Sequence, residues 1–317
     1  MNFNDNIYVA GHHGMVGSAI VRELQNQGYK NIITKTRQEL DLLDQKKVEE
    51  FFSSHQKTNK IDYVFIASAK VGGIDANRSK PAEFIYENLQ IQNNLIHQSY
   101  LNNVKRLVFL GSSCIYPKLA KQPIKEEYLL TGQLEETNYA YAIAKIAGLK
   151  MCEAYRTQYG CDFVSVMPTN LYGINDNFDL KTSHVLPALL RKFHEAKINN
   201  QSSVEVWGSG KPSRELLYVD DLAEACIFVM NNQNIKELVN IGTGVDIEIR
   251  KLAELVKKII GFKGEIIFNT QMPDGTPRKL LDVSKINNFG WEATTNLEDG
   301  VREVYEWYVN NKINSNV

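Results

Sequence analysis

Ser112, Tyr141 and Lys145 are residue types that together can polarise a carbonyl. Tyr141 and Lys145 are four apart, so a helix would place them on one face. The phenol would supply a proton, the lysine cation would lower the phenol's pKa, and the serine would fix the carbonyl oxygen. A tyrosine and a lysine four apart also occur on helices by chance. The surrounding elements must therefore supply the rest of the case.

Those elements alternate. Ser112 ends the apolar run Arg106 to Gly111, a strand breaking into the loop Ser112-Ser113-Cys114-Ile115-Tyr116-Pro117. Tyr141 to Tyr159 reads as the following helix, and Asp162 to Met167 as the next strand, ending in Pro168 to Gly173. Upstream, Ile7 to Ala10 is a short strand, followed by Gly11, His12, His13, Gly14, Met15, Val16, Gly17 and a helix from Ser18 to Gln27. Glycines at this spacing, between a strand and a helix, permit a tight turn and let a pyrophosphate rest on the helix N-terminus. Packing of that helix on a sheet would account for them equally. Asn31 to Thr34 and Ile61 to Ala67 are further strands, and Pro81 to Tyr100 a long helix. The alternation predicts an α/β fold of Rossmann type, a doubly wound parallel sheet covered on both faces. Ligands in such sheets bind at strand carboxyl ends, and Gly11, Ser112, Cys114 and Asn170 all fall there.

The second strand runs into Lys35-Thr36-Arg37 rather than an acidic residue. A cationic end suits a 2′-phosphate, so NADP(H) is the expected cofactor, with Asp41 and Leu42 flanking the adenine. A solvated basic turn is the plainer alternative for Arg37.

Beyond residue 175 the alternation loosens. Ser183 to Ala196 reads as a helix containing His184 and Lys192. Val204 to Trp207 and Arg214 to Val219 read as strands, with Asp220-Asp221 as a helix N-cap leading to Asn231. Leu238 to Ile241 is another strand, Ile249 to Ile260 an amphipathic helix, Pro273 to Arg278 a loop and Leu297 to Asn310 a closing helix. This gives a dinucleotide-binding part at 1–175, to which segments around 215–245 could return. A smaller C-terminal α/β substrate lobe spans 176–317.

Composition bounds the class. The chain has 317 residues, 43% hydrophobic and 23% charged, as in ordinary globular proteins. A net charge of −1 gives no electrostatic case for nucleic acid or an anionic membrane. No apolar run approaches the roughly 20 residues that span a bilayer, and the first residues do not read as a signal peptide. Cys114, Cys152, Cys161 and Cys226 show neither metal spacing nor a disulfide pattern, so no metal is expected and a cytoplasmic location is.

The pattern resembles the extended short-chain dehydrogenase/reductase superfamily over nearly the whole chain, through Gly11 to Gly17, Ser112 to Pro117, Tyr141 to Lys145, Pro168 to Gly173 and Arg214 to Asp221. Within it, Ala69 to Ile74, Gly111 to Lys118 and Pro273 to Lys279 are most similar to the GDP-L-fucose synthase family of 3,5-epimerase/4-reductases. Related dehydratases carry acidic residues where this chain has Cys114. The resemblance implies a GDP-sugar substrate with a ketone at C4. It implies Ser112 and Tyr141 at that oxygen, Cys114 and His184 as the proton-moving pair at C3 and C5, and Lys145 on Tyr141 and the nicotinamide ribose. Leu110, Gly111, Ser112, Ser113, Pro168, Thr169, Asn170, Leu171 and His184 would line the cofactor. Lys192, Trp207, Arg214 and Asp274 would hold the substrate, with the two cations facing the diphosphate.

Each residue has a plainer alternative: a packed thiol for Cys114, a helix cap for His184, solvated charge for Lys192 and Arg214, core for Trp207. Two positions depart from the family pattern. His13 stands where an arginine is expected, which weakens the case for NADP. Lys192 replaces an arginine and lacks its planar fork. The family implies a homodimer built on the helices Pro81 to Tyr100 and Tyr141 to Tyr159. Competing readings are a colitose-type 5-epimerase/4-reductase, a sugar-nucleotide 4-epimerase that keeps its cofactor bound, and a non-catalytic dinucleotide sensor.

Overall fold

The fold is taken from a computed structural model that describes residues 1–56, 59–272 and 274–313. Pro273, in the expected loop, lies outside the described residues.

Strands β1 (Asn6–Ala10), β2 (Asn31–Ile33), β3 (Tyr63–Ile66), β4 (Arg106–Leu110) and β5 (Phe163–Pro168) are short apolar runs. Apart from β2, an edge strand that is exposed to half-buried, they are buried on both faces, have no polar side to turn to water, and form the centre of a layered sheet. The sheet order is β2-β1-β3-β4-β5-β9, parallel throughout. Its last strand, β9 (Val239–Ile241), comes from far down the chain and pairs with β5. The order turns back between β1 and β3, the place where such sheets open a crevice.

Helices α1 (Met15–Asn26), α2 (Gln45–Gln56), α3 (Ile74–Ser79), α4 (Pro81–Leu101) and α5 (Tyr139–Tyr159) connect these strands. The sequence reading left the stretch of α2 blank. Its signal was present: Val48, Phe51 and Phe52 are buried at helical spacing, and Asp44 Oδ1 accepts from Lys47 N at 3.1 Å.

Strand β5 does not stop at the sheet edge. After Thr169 the chain continues as β6 (Asn170–Tyr172), which leaves the main sheet and pairs with β8 (Ser213–Tyr218). A second sheet results, in the order β10-β8-β12, with β10 at Asp246–Glu248 and β12 at Arg278–Lys279. β7 (Ser203–Trp207) and β11 (Glu265–Asn269) pair separately. Helices α6 (Val185–Ile198), α7 (Val219–Asn231), α8 (Ile249–Ile260), α9 (Ser284–Asn288) and α10 (Leu297–Tyr308) complete the chain. The closing helix ends at Tyr308 and passes into a π turn over 309–313, short of the helix to Asn310 read from the sequence.

One apolar core surrounds the main sheet, and a second lies under α6, α8 and α10. Helix α7 packs on α1 and carries main-sheet rather than second-core contacts. Asp220 and Asp221 do not cap it, because the helix starts at Val219 with Tyr218 at the cap. Asp220 is ion-paired with Arg22, and Asp221 accepts from Thr295 N at 3.0 Å and Thr295 Oγ1 at 2.8 Å. Tertiary partners claimed both carboxylates, leaving neither free for the helix end.

Candidate active site

Strand β4 carries the chain to the crevice and ends at Leu110. Ser112 then caps a single 3₁₀ turn over Ser113–Ile115, accepting from Cys114 N at 3.5 Å. Helix α5 lies against the same strand because Gly148 allows it: a Cβ there would stand 2.5 Å from the Phe109 ring. Gln92 Nε2 of α4 donates to Ala144 O of α5 at 2.7 Å and locks the helix along its axis. This close seat lets Lys145 Nζ donate to Leu110 O at 2.8 Å, 4.9 Å from the Phe109 ring and 5.9 Å from the Tyr141 ring.

The Ser112 hydroxyl lies close enough to act on the Tyr141 phenol, so the expected triad is assembled. Its electrostatics differ from expectation. Burial and the neighbouring Cys114 charge push the Tyr141 phenol above its usual range, and Ser112 offsets only part of this. Burial brings Lys145 down to about 8, with Cys114 acting in the other direction. Tyr141 is therefore held as a protonated acid, poised to give a proton rather than to ionise.

Cys114 is half-buried beside this group. Lys279, at the end of β12, feels the charges of Cys114, Arg214 and Glu135, and burial lowers its pKa. His184 does not lie within α6 but immediately before it, with extended backbone. Its ring makes no capping hydrogen bond, so the cap alternative fails. It is open to solvent within the cleft, yet protein walls and the Lys279 charge lower its pKa and favour the neutral ring.

The glycine loop joins β1 to α1. Gly14 occupies the helix cap without a side-chain bond, leaving first-turn N–H groups for an anion. A Cβ on Gly17 would stand 2.1 Å from Gly11 O, so the turn cannot close with any other residue. His12 Nδ1 is buried and has no partner, and the His12 and His13 rings are 4.0 Å apart. Met15 and Val16 open α1. Arg37 follows β2, exposed and 3.9 Å from Asp41. The backbone of Leu42 is held by Asn94 Nδ2 of α4, which donates to its carbonyl at 2.8 Å. A narrow glycine turn, free helix N–H groups, an orphan buried nitrogen and an exposed guanidinium fit a phosphorylated dinucleotide. Leu110 ends β4 and Gly111 and Ser113 follow it, while Pro168 ends β5, Thr169 joins it to β6 and Leu171 lies in β6. Asn170 is spoken for, its Nδ2 donating to Glu215 O at 2.9 Å.

On the substrate side, Trp207 is 52% exposed, which removes the core alternative. Lys192 Nζ lies 5.4 Å from its ring centre and donates to Glu205 O at 3.1 Å. Asp274 accepts from Ser209 N at 2.6 Å and Ser209 Oγ at 2.8 Å, next to Trp207. Arg214 donates to Thr276 O at 2.7 Å and Ser213 O at 2.8 Å. These four residues thus form one wall in which each already has a protein partner.

Two site residues escaped the sequence reading. Lys279 closes the family-like stretch Pro273 to Lys279, where no local spacing points to a role for it. Glu215, completely buried, accepts from Thr243 N at 2.7 Å, Gly244 N at 2.8 Å and Leu281 N at 2.9 Å. In the sequence it stands beside Arg214 in the strand Ser213–Tyr218, where a charged pair reads as an ordinary solvated strand end.

Comparison with known proteins places this geometry. The profile of the NAD dependent epimerase/dehydratase family matches residues 7–242. GDP-L-fucose synthase 1 of Arabidopsis thaliana is 57% identical over 308 residues, covering 97% of this chain and 94% of that protein. GDP-L-fucose synthase of Escherichia coli K12 is 53% identical over 315 residues, covering 96% and 97%. Among solved structures, a GDP-mannoheptose C4 reductase from Campylobacter jejuni with NADP bound is 47% identical, with a TM-score of 0.89 over 97% of this chain and 99% of that one. Shared sequence over nearly full length, a shared fold and the assembled Ser112–Tyr141–Lys145 group lead to one conclusion: the chain belongs to the NAD dependent epimerase/dehydratase family, in its GDP-L-fucose synthase branch.

Proposed function

We propose that the protein converts GDP-4-keto-6-deoxy-D-mannose to GDP-L-fucose, inverting C3 and C5 and then reducing the C4 ketone. The observation that carries this reading is Cys114 seated beside Ser112 and Tyr141. A plain reductase has no use for a thiol there.

The glycine turn and Arg37 would hold NADPH, which would supply the hydride for C4. Protons at C3 and C5 are acidic because the neighbouring ketone can take up charge as an enolate. Ser112 and Tyr141 would hydrogen-bond the oxygen and stabilise that charge. Cys114 and His184 would take and return protons on opposite faces of the ring. Tyr141, kept protonated by its surroundings, would then protonate the alkoxide left by reduction. Lys145 would orient Tyr141 and the ribose. Lys192 and Arg214 would face the diphosphate, and Trp207 and Asp274 the rest of the nucleotide sugar. Residues 1–175 would serve the cofactor and 176–317 mainly the sugar, with β9 returned to the first part. Tyr86 and Leu101 on α4, with Tyr139 and Tyr159 on α5, are exposed and would pack against a second copy. The reaction needs no membrane, and among the described residues no helix is long and apolar enough to cross one. A cytoplasmic location is consistent with free thiols at all four cysteines.

The test is NADPH oxidation with this keto-sugar in deuterated water, for wild type and Cys114→Ser. Wild type is expected to consume cofactor and place deuterium at C3 and C5 of GDP-L-fucose. Cys114→Ser is expected to reduce the ketone without both inversions. Label at C5 alone would support the colitose-type reading instead. Turnover without net NADPH loss would support the 4-epimerase, and unchanged turnover in Tyr141→Phe the non-catalytic sensor.

A further inference from the structure

The proposed chemistry uses one pair of side chains twice. In the pyranose chair of the keto-sugar, the C3 and C5 hydrogens point to the same face. A single group must therefore deal with both. After the first inversion one member of the pair has gained a proton and the other has lost one. Neither can act again until protons are exchanged with water. His184 is exposed and can exchange through the cleft, whereas Cys114 is half-buried and needs its own way out.

A cavity of about 60 Å³ adjoins Cys114. Lys279, Asn138, Glu135 and Lys118 line it, whereas Ser112, Tyr141 and His184 are not among its lining residues. The volume is enough for a few water molecules, and Lys279, Asn138, Glu135 and Lys118 bring polar ends to a lining that also contains Ile124 and Pro117. Asn138 Oδ1 is buried and has no hydrogen-bond partner, an acceptor that a water in this cavity would satisfy. Lys279 interacts electrostatically with Cys114 at one end and with Glu135 at the other. Glu135 is ion-paired with Lys118 at 2.9 Å; their side chains are 22% and 44% exposed, so the carboxylate stands between the cavity and solvent.

We propose that this cavity is the proton exit for Cys114, with Glu135 as the relay carboxylate and Lys279 as the cation that holds the thiolate between the two inversions. The inference rests on the epimerase/reductase reading above. In the resetting step the S–H bond of Cys114 breaks and its electron pair stays on sulfur, facing the Lys279 ammonium. The proton passes through cavity water to a Glu135 oxygen and from there to solvent. One proton from solvent restores His184, so the cycle consumes none. The same path run backwards protonates a thiolate. Glu135 and Lys279 act through Cys114 and are positioning and relay groups rather than catalytic residues.

The test measures product partition for the full chain with NADPH and GDP-4-keto-6-deoxy-D-mannose in deuterated water. Wild type is expected to release the doubly inverted, doubly labelled product. In Glu135→Gln the ratio of singly to doubly inverted reduced product is expected to rise about a hundredfold, the lower end of the scale for a lost proton-transfer group. Hydride transfer, followed as NADPH oxidation in a single turnover, should fall far less. Lys279→Met should shift the ratio in the same direction, and Glu135→Asp, which keeps the carboxylate, should restore it. An unchanged ratio in both variants overturns the proposal. So does an equal loss of inversion and reduction that Glu135→Asp fails to rescue, since that marks a merely structural role. If wild type itself leaves NADPH unconsumed with this sugar, the underlying functional reading fails and the relay falls with it.

Discussion

Lys145 shows how a single residue sets chemistry against stability. It is 4% exposed and titrates near 8 in the fold, against 10.5 in the open chain. A lysine whose pKa is depressed on folding opposes folding while it is charged. Below pH 8 the full cost applies, about 3 kcal/mol, and as pH rises from 8 to 10.5 it fades. Removing the ammonium also removes its bond to Leu110 O, about 1 kcal/mol. Lys145→Met is therefore expected to be more stable than wild type at pH 7 by about 2 kcal/mol. The gap should close towards pH 10, while turnover is lost throughout. Urea unfolding at the two pH values checks the sign, and a less stable variant at pH 7 would refute the account. The same comparison separates the roles of the triad. Tyr141 is kept protonated by burial, so the lysine's place is in orientation and in contact with bound ligand rather than in ionising the phenol.

At the scale of elements, the substrate wall depends on how β8, β9 and β12 are joined. Glu215 sits in β8, one residue from Arg214. One of its oxygens takes the N–H groups of Thr243 and Gly244, beyond β9, and the other takes Leu281 N–H, just past Lys279. A carboxylate can accept all three, but a glutamine cannot, because its amide nitrogen would face Leu281 N–H donor to donor. Glu215→Gln is expected to cost about 2 kcal/mol of stability. It should also raise KM for the GDP-sugar about tenfold, by loosening Arg214 and Lys279. NADPH affinity, read by fluorescence titration, should stay within about twofold, since α1 and its loop are seated elsewhere. Equal losses for both ligands would show that the contact stabilises the whole fold and not this wall.

At the scale of the molecule, two cores meet along a line where β5 leaves one sheet to become β6 of the next. Thr169 pins that crossing, its N–H donating to Ile241 O at 3.0 Å and its Oγ1 to Glu215 O at 3.4 Å. The triad belongs to the end of β4 and to α5, and Arg214 to β8 of the second sheet. The outer faces of α4 and α5 carry a stacked pair, Tyr100 and Tyr159 with ring centres 4.3 Å apart, beside Tyr155 and His97. A dimer formed through these helices is expected to give twice the 36.1 kDa chain mass in light scattering. Tyr86→Lys together with Tyr159→Lys should return it to monomer. A monomeric wild type would exclude this interface.

The sequence by itself determined the local elements and the chemical types. Apolar runs buried on two faces are legible as parallel strands. A Gly11–Gly17 turn between strand and helix is legible as a phosphate cradle, and a Tyr141–Lys145 spacing as one helical face, because each depends on neighbours in the chain. Tertiary structure alone decided what depends on distant ones. It placed β9 beside β5, took Asp220 and Asp221 away from the helix end they were expected to cap, and moved His184 to the residue before its helix. It raised the Tyr141 phenol instead of lowering it, since desolvation is set by what surrounds the ring and not by a lysine one turn away. Lys279 and Glu215 became visible only there. Their partners, Cys114 and Glu135 for one and Thr243, Gly244 and Leu281 for the other, are brought together by folding across long stretches of chain, and no local spacing encodes a contact of that kind.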